Sequence, residues 1–269
     1  MITVLNDFFD KASRVSAALR DAAVATLYPS VCRVCGGVIE SWRDGVACSA
    51  CWREIEWDDS GVREKWSKWP KCAKCWTPLP DAPGVEAGPR RCGRCDHFAF
   101  DFVRCCGPYR GAMRETVLRL KREPHVPARL RSLLRRAFDA LPDSGLIESV
   151  IPTPLYPERL AERGFNQAEV IARELASVTG LRVNSTAVIR VKRTERHRAG
   201  MGARERARSL DQAFRVRAPR LVEGRVALLV DDVMTTGSTA GEIARVLLES
   251  GAKTVNILTL ARAMNEFSV

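Results

Sequence analysis

Apolar residues run from Val226 to Val230 without charge or alternation, the pattern of a strand buried on both faces of a parallel sheet. Past Thr239 they return at helical spacing, at Ile243, Ala244, Val246, Leu247 and Leu248, and stop at Gly251, a favourable residue just beyond a helix end. The same alternation of elements fills the second half of the chain. Phe98 to Tyr109 is apolar enough for a first strand, with Cys105 and Cys106 as core residues. A helix then carries Met113, Val117 and Leu120 and ends before Pro124; a second runs through Leu130, Leu133, Leu134, Ala137 and Leu141. A strand over Ile147 to Ile151, a helix from Gln167 to Ser177 closed by Gly180, strands near Val188 and Phe214, and a last strand over Val255 to Leu260 complete the series. Alternating strands and helices predict an α/β fold, a parallel sheet flanked by helices.

The first 28 residues differ. Val4, Leu5, Phe8, Phe9, Ala12, Val15, Ala18, Leu19, Ala22 and Ala23 form an amphipathic helical stripe that ends near Pro29. Docking on the rest of the chain, or on a membrane surface or partner groove, would bury it. Asp7, Asp10 and Asp21 argue against a targeting helix.

Between these regions the aliphatic pattern fails and cysteine replaces it. Of 10 cysteines, eight form the pairs Cys32/Cys35, Cys48/Cys51, Cys72/Cys75 and Cys92/Cys95. Each pair can place two thiolates on one ion, so two pairs complete a closed tetrahedral zinc site with no open position for catalysis. Paired in sequence order, the eight predict two zinc ribbons, and the similar gaps within each half suggest duplication. A redox role for the pairs, or a partly degenerate second ribbon, would be the alternatives. Trp52, Trp57, Trp66 and Trp69 lie in the middle, too few apolar groups to hold so small a unit without metal. Pro78 to Pro89 reads as a loop inside the second ribbon. The expected organisation is therefore an amphipathic helix over 1–28, a double zinc ribbon over 29–97, and the α/β domain over 98–269.

Chemistry concentrates where the Val226 strand should end. Asp231 and Asp232 come first, then Thr235, Thr236, Gly237, Ser238 and Thr239 open the next helix. Open α/β sheets bind ligands at such strand ends. Free backbone N–H groups and the positive end of the helix dipole suit a phosphate dianion; Gly237 lets the backbone approach, and the hydroxyls donate further bonds. The carboxylates would repel that phosphate but accept bonds from vicinal sugar hydroxyls, so the ordered set points to a ribose 5-phosphate. Taken singly, Ser238 or Thr239 could be a helix cap and the acids solvated turn residues. Thr153, Arg159, Arg163, Asn166 and Gln167 also lie beyond a strand end, after Ile151.

At 269 residues and a net charge of +11, the chain can bury a substantial core and favours anionic partners: phosphorylated metabolites, nucleic acid or an acidic membrane. An ordinary basic surface would also account for the charge. No apolar run is long enough to span a bilayer, and the eight paired cysteines suit a reducing compartment. The expected location is cytoplasmic, with peripheral attachment at the inner face of the membrane left open by the N-terminal stripe.

The run from Val230 to Thr239 resembles the phosphoribosyl pyrophosphate (PRPP) motif of type I phosphoribosyltransferases. Together with the amphipathic leader, the cysteine ribbons, Tyr109-Arg-Gly with Lys121, and Arg163-Gly-Phe-Asn-Gln167, it resembles the competence protein F family across nearly the whole chain. That resemblance implies a double zinc ribbon before a type I phosphoribosyltransferase-like domain, with a role in DNA uptake. It implies that Asp231 and Asp232 hold ribose hydroxyls and that residues 235–239 hold the 5-phosphate; Thr153, Arg159, Asn166 and Gln167, beyond the other strand end, are also expected to contact PRPP. Transfer passes through an oxocarbenium-like state, so Mg²⁺ on the diphosphate and cations at the leaving pyrophosphate are expected, with Lys121, Arg159 and Arg163 as candidates. Each of the three could instead be a surface charge. His197-Arg198 and Ser209 depart from the family's usual pattern ahead of Ala213-Phe214. The basic segment Arg190 to Arg208 reads either as a lid or as a contact for single-stranded DNA or another nucleic acid. Three functions are compatible: transfer of phosphoribose; a nucleic-acid-binding protein that uses the PRPP fold for binding or sensing, with protein partners in DNA uptake; or a zinc-organised adaptor. The intact acid pair and phosphate loop disfavour the last.

Overall fold

The computed structural model describes residues 30–55, 70–79, 89–193, 210 and 212–263. The amphipathic stripe over 1–28, Trp57, Trp66 and Trp69, and most of the basic segment, including His197, Arg198 and Ser209, lie outside the described residues. In chain order the elements are α1 (Ser49–Arg53), β1 (Val103–Pro108), α2 (Gly111–Leu120), α3 (Ala128–Asp139), β2 (Ile147–Pro152), α4 (Pro157–Arg163), α5 (Gln167–Thr179), β3 (Val188–Arg190), β4 (Phe214–Val216), β5 (Val226–Met234), α6 (Ser238–Glu249) and β6 (Thr254–Arg262).

Four strands form one sheet in the order β1-β6-β5-β2, every pair parallel. The fold is the expected α/β class, a parallel sheet flanked by helices. Central β5 and β6 are apolar on both faces because both faces are covered. Val226, Leu228 and Val230 share one core with Met113, Leu130 and Leu134 of α2 and α3 and Ile171 of α5. Ala227 and Leu229 share the other with Ile243 and Leu247 of α6 and Val188 and Phe214.

Three expectations need correction. The strand carrying the acids does not stop at Val230: β5 continues to Met234 because β6 is equally long, pairing Asp231 with Thr259 and Met234 with Arg262. β3 and β4 are not part of the parallel sheet; they pair antiparallel with each other, beside α6. The helix α4 was not expected, although Pro157 at its first position and left-handed Gly164 beyond its end bracket it.

The cysteine segments enter the same two cores. Cys48, Cys51, Trp52 and Ile55 are buried with α2 and α3, whereas Cys72, Cys75, Leu79 and Cys95 are buried with α6 and the other face of the sheet. Trp52 is fully buried and its Nε1 donates to the Asp44 carbonyl at 2.8 Å, while Arg129 of α3 pairs with the Asp44 carboxylate at 3.3 Å. The two cysteine segments thus gain support from packing on the sheet domain, in addition to any that a metal would supply.

Candidate functional site

The cysteines gather into two quartets in sequence order, Cys32/Cys35/Cys48/Cys51 and Cys72/Cys75/Cys92/Cys95, with the four sulfurs of each within 4.8 Å of one another. The Sγ···Sγ separations of 3.7 Å for Cys35/Cys48, 3.6 Å for Cys72/Cys95 and 3.5 Å for Cys75/Cys92 are close to the edge of a tetrahedron whose metal–sulfur arms are about 2.3 Å. The duplication is visible in the backbone. Cys32 N–H donates to the Gly37 carbonyl at 2.7 Å, and Cys72 N–H to the Thr77 carbonyl at 2.8 Å. The bridges Val31/Val38 and Lys71/Pro78 repeat at the same offset. Both knuckles need a left-handed residue after the second cysteine: Gly36 in the first, but Trp76, at φ 61°, in the second.

Zinc fits both sets. At the second quartet the Cys75 side-chain bond draws the Cys72 thiol down to about 4, further helped by backbone N–H groups against the opposing effect of burial. That same bond, and then burial, drives Cys75 up. Four thiols so close cannot all ionise without a cation. A zinc tetrathiolate carries two negative charges in excess, and a counter-charge is in place: Arg262 is 6% exposed, draws the Cys75 thiol downward and donates through Nη2 to Thr77 Oγ1. Its Nε and Nη1 have no partner among the described residues.

A cleft of about 1220 Å³ opens at the carboxyl ends of the parallel strands, where side chains from several elements converge. Asp231, Asp232, Thr153, Thr235, Thr239, Lys121 and Arg159 all line it. β5 delivers the acids, and left-handed Gly237, at φ 90°, turns the chain into α6. Within that turn Thr236 Oγ1 and Ser238 Oγ lie 2.9 Å apart, and the Ser238 N–H faces Thr236 Oγ1 at 3.4 Å. Hydroxyls and backbone N–H groups are therefore gathered at one helix start, as an anion requires.

The acids have unlike surroundings. Asp232 is 9% exposed; Lys121 Nζ stands 3.8 Å from its Oδ2, and Gln167 Nε2 donates to that oxygen at 3.4 Å. Burial first, and then the like charge of Asp232, push the Asp231 carboxyl up to about 8, against the bond it accepts from the Asp232 N–H.

Arg163, Asn166 and Gln167 stand behind the cleft wall. Arg163 Nη1 donates to Gln167 Oε1, forming a chain that ends on Asp232. Asn166 accepts from the Ala168 N–H at 3.1 Å, capping α5, and donates to the Thr153 carbonyl at 3.0 Å. Arg159 pairs with Glu162 at 3.7 Å. Tyr156 and Arg190 also line the cleft. Tyr156 was missed, although it lies between Thr153 and Arg159, just before α4 begins. Arg190, expected only as the start of a basic segment, sits on β3 with its charge felt at Asp231.

Residues 160–266 match the family model for the phosphoribosyl transferase domain, a span that holds β5, the loop and α6. The chain is 38% identical over 150 residues to DNA utilization protein YhgH of Escherichia coli O6:H1, covering 55% of this chain and 65% of that one. It is 37% identical over 141 residues to competence protein F of Haemophilus influenzae (49% and 61%), and 32% identical over 162 residues to competence protein ComFC of Bacillus subtilis (58% and 62%). The chain resembles the competence protein F family, and the matched stretches span just under two thirds of these relatives' lengths. Among the described residues, no helix is long and apolar enough to cross a membrane.

Proposed function

We propose that the cleft binds PRPP with Mg²⁺ and that the protein transfers its phosphoribose to an acceptor in DNA uptake or processing. The observation that carries this reading is the placement of Asp231, Asp232, Thr235 and Thr239 in one cleft, with the loop 235–239 at the start of α6. A phosphate at the helix start would set a ribose within reach of the carboxylates, and Lys121 and Arg159 would face the diphosphate. Mg²⁺ prefers oxygen donors and usually arrives with substrate phosphates. Asp231 and Asp232 would be the protein oxygens available to it, and its role would be to neutralise the diphosphate as it leaves. Arg163 and Asn166, held behind the wall, would position Gln167, Thr153 and Asp232 rather than touch substrate.

A second reading has its own support. Arg159, Arg190 and Arg193 line the cleft, cations of the kind that neutralise a nucleic-acid backbone without reading bases, and the curated relatives carry DNA-utilization and competence names. In that reading single-stranded DNA and the uptake machinery are the partners, and PRPP is sensed rather than consumed. The cysteine quartets suit the reducing cytoplasm, where we place the protein, with the N-terminal stripe as its route to the membrane's inner face.

Calorimetry with PRPP and Mg²⁺, followed by a pyrophosphate-release assay with nucleobases and nucleic acids as acceptors, tests both. Binding with release supports transfer. Binding without release from any acceptor moves sensing ahead, and no binding removes both PRPP readings.

A further inference from the structure

The second cysteine quartet and the phosphate loop touch through one side chain. Phe98 lies three residues beyond Cys95, whose carbonyl accepts its N–H at 3.1 Å. The Phe98 carbonyl in turn accepts from Lys74 Nζ, inside the Cys72/Cys75 knuckle, at 2.7 Å. Both ends of the residue therefore hang from the quartet. Its ring, stacked on Phe100 with centroids 5.3 Å apart, lies against the start of α6. A Cβ on Gly241 would meet Phe98 Cδ1 at 2.3 Å, and a Cβ on Gly237 would meet Phe98 Cε2 at 3.1 Å. The Phe98 ring leaves no room for a side chain at 241 and stands tight against 237, where Met234 Cε is nearer still at 2.8 Å, so the ring braces the start of α6. At Gly237 the brace bears on the left-handed residue that shapes the turn.

We propose that Phe98 is a positioning residue through which the second quartet holds the phosphate loop in its binding shape, so that phosphate affinity depends on the metal state of that quartet. The loop-shape part stands on the contacts above; the affinity part rests on the PRPP reading. Because the first quartet packs with α2 and α3 on the other face, its metal should not affect the loop in this way.

The test uses the full chain with both metals loaded, hydrogen exchange over residues 235–241, and PRPP calorimetry with Mg²⁺. Phe98→Ala, with metal content confirmed at the wild-type level, is expected to speed exchange in those amides about tenfold and to weaken PRPP binding by a similar factor. Phe98→Leu should recover most of both. Emptying the second quartet with Cys92→Ser/Cys95→Ser should reproduce the loop pattern, whereas Cys35→Ser in the first should not. Wild-type exchange in Phe98→Ala, or an equal effect from Cys35→Ser, overturns the proposal. If the double serine variant does not fold, Phe98→Ala and Phe98→Leu decide alone. If wild type takes up no PRPP while the exchange pattern appears, the PRPP reading fails and the coupling of quartet to loop stands.

Discussion

Asp231 and Asp232 are adjacent in sequence yet face opposite sides of the sheet. Strand side chains alternate, and the two cores follow that alternation: Val230 and Asp232 lie on the side of α2 and α5, Leu229 and Asp231 on the side of α6. Asp232 therefore meets Lys121 and Gln167, while Asp231 meets the charge of Arg190. The pair thus flanks the central strand on both sides, with both residues lining the cleft.

Neutralising the pair should cost affinity without unfolding the protein. Charge-assisted bonds to sugar hydroxyls contribute about 1.5–3 kcal/mol each, so Asp231→Asn/Asp232→Asn is expected to weaken PRPP binding more than tenfold by calorimetry. Unchanged affinity would mean that the ribose does not sit on these carboxylates.

The raised Asp231 carboxyl gives a pH dependence of definite sign. Its folded value, about 8, lies above its ordinary value of 3.8, so the folded protein holds a proton that the unfolded chain has lost. The resulting stabilisation is fully present below pH about 4 and is lost as pH rises through about 8. Thermal melts without ligand should show wild type losing stability relative to Asp231→Asn between about pH 4 and 8. PRPP affinity should rise over the same range if the carboxylate form accepts the ribose hydroxyls. Parallel curves for the two proteins would contradict a protonated Asp231.

Much of this arrangement was legible in the sequence, because continuous apolar runs, paired cysteines and a small-residue loop before a helix each have few physical meanings. The core strands, the quartets and the loop were read from such patterns. What stayed hidden depends on partners distant in the chain. Nothing near Val230 says that β6 is long enough to carry β5 on to Met234, or that β3 and β4 pair only with each other. Arg163 and Asn166 follow a strand end as cleft residues do, but α4 and the cap of α5 turn them behind the wall. Trp52 and Ile55 read as ribbon residues until α2 and α3 are seen to cover them.

The chain Arg163–Gln167–Asp232 should behave as one unit. If Arg163 acts only by orienting Gln167, then Arg163→Ala and Gln167→Ala will each weaken PRPP binding, and the double variant will lose little more than the worse single change. Strict additivity would instead place Arg163 on the ligand itself.

Metal analysis of chelator-washed protein should find two zinc ions per chain, one for each quartet. One ion would mean an empty ribbon, and none would remove the ribbon reading. Arg262→Met removes the buried counter-charge of the second quartet, so zinc should leave that quartet first during chelator titration, with the first quartet unaffected. Equal retention at the second quartet in variant and wild type would show that Arg262 does not balance the tetrathiolate.

The seam between the first quartet and the α/β domain has its own test at Gly45. This residue stands at φ 78°, and a Cβ there would meet Pro127 Cγ at 2.4 Å, just before α3 begins. Gly45→Ala therefore adds backbone strain to a clash with a rigid ring, and neighbouring Asp44 is already fixed by Trp52 and Arg129. The expected cost is about 1–3 kcal/mol, read as a lower urea midpoint with both metals retained. An unchanged midpoint would mean that the segment can swing away from Pro127 at no cost, and the shared core of Trp52, Ile55 and Met113 would then not be what anchors the first quartet to the sheet.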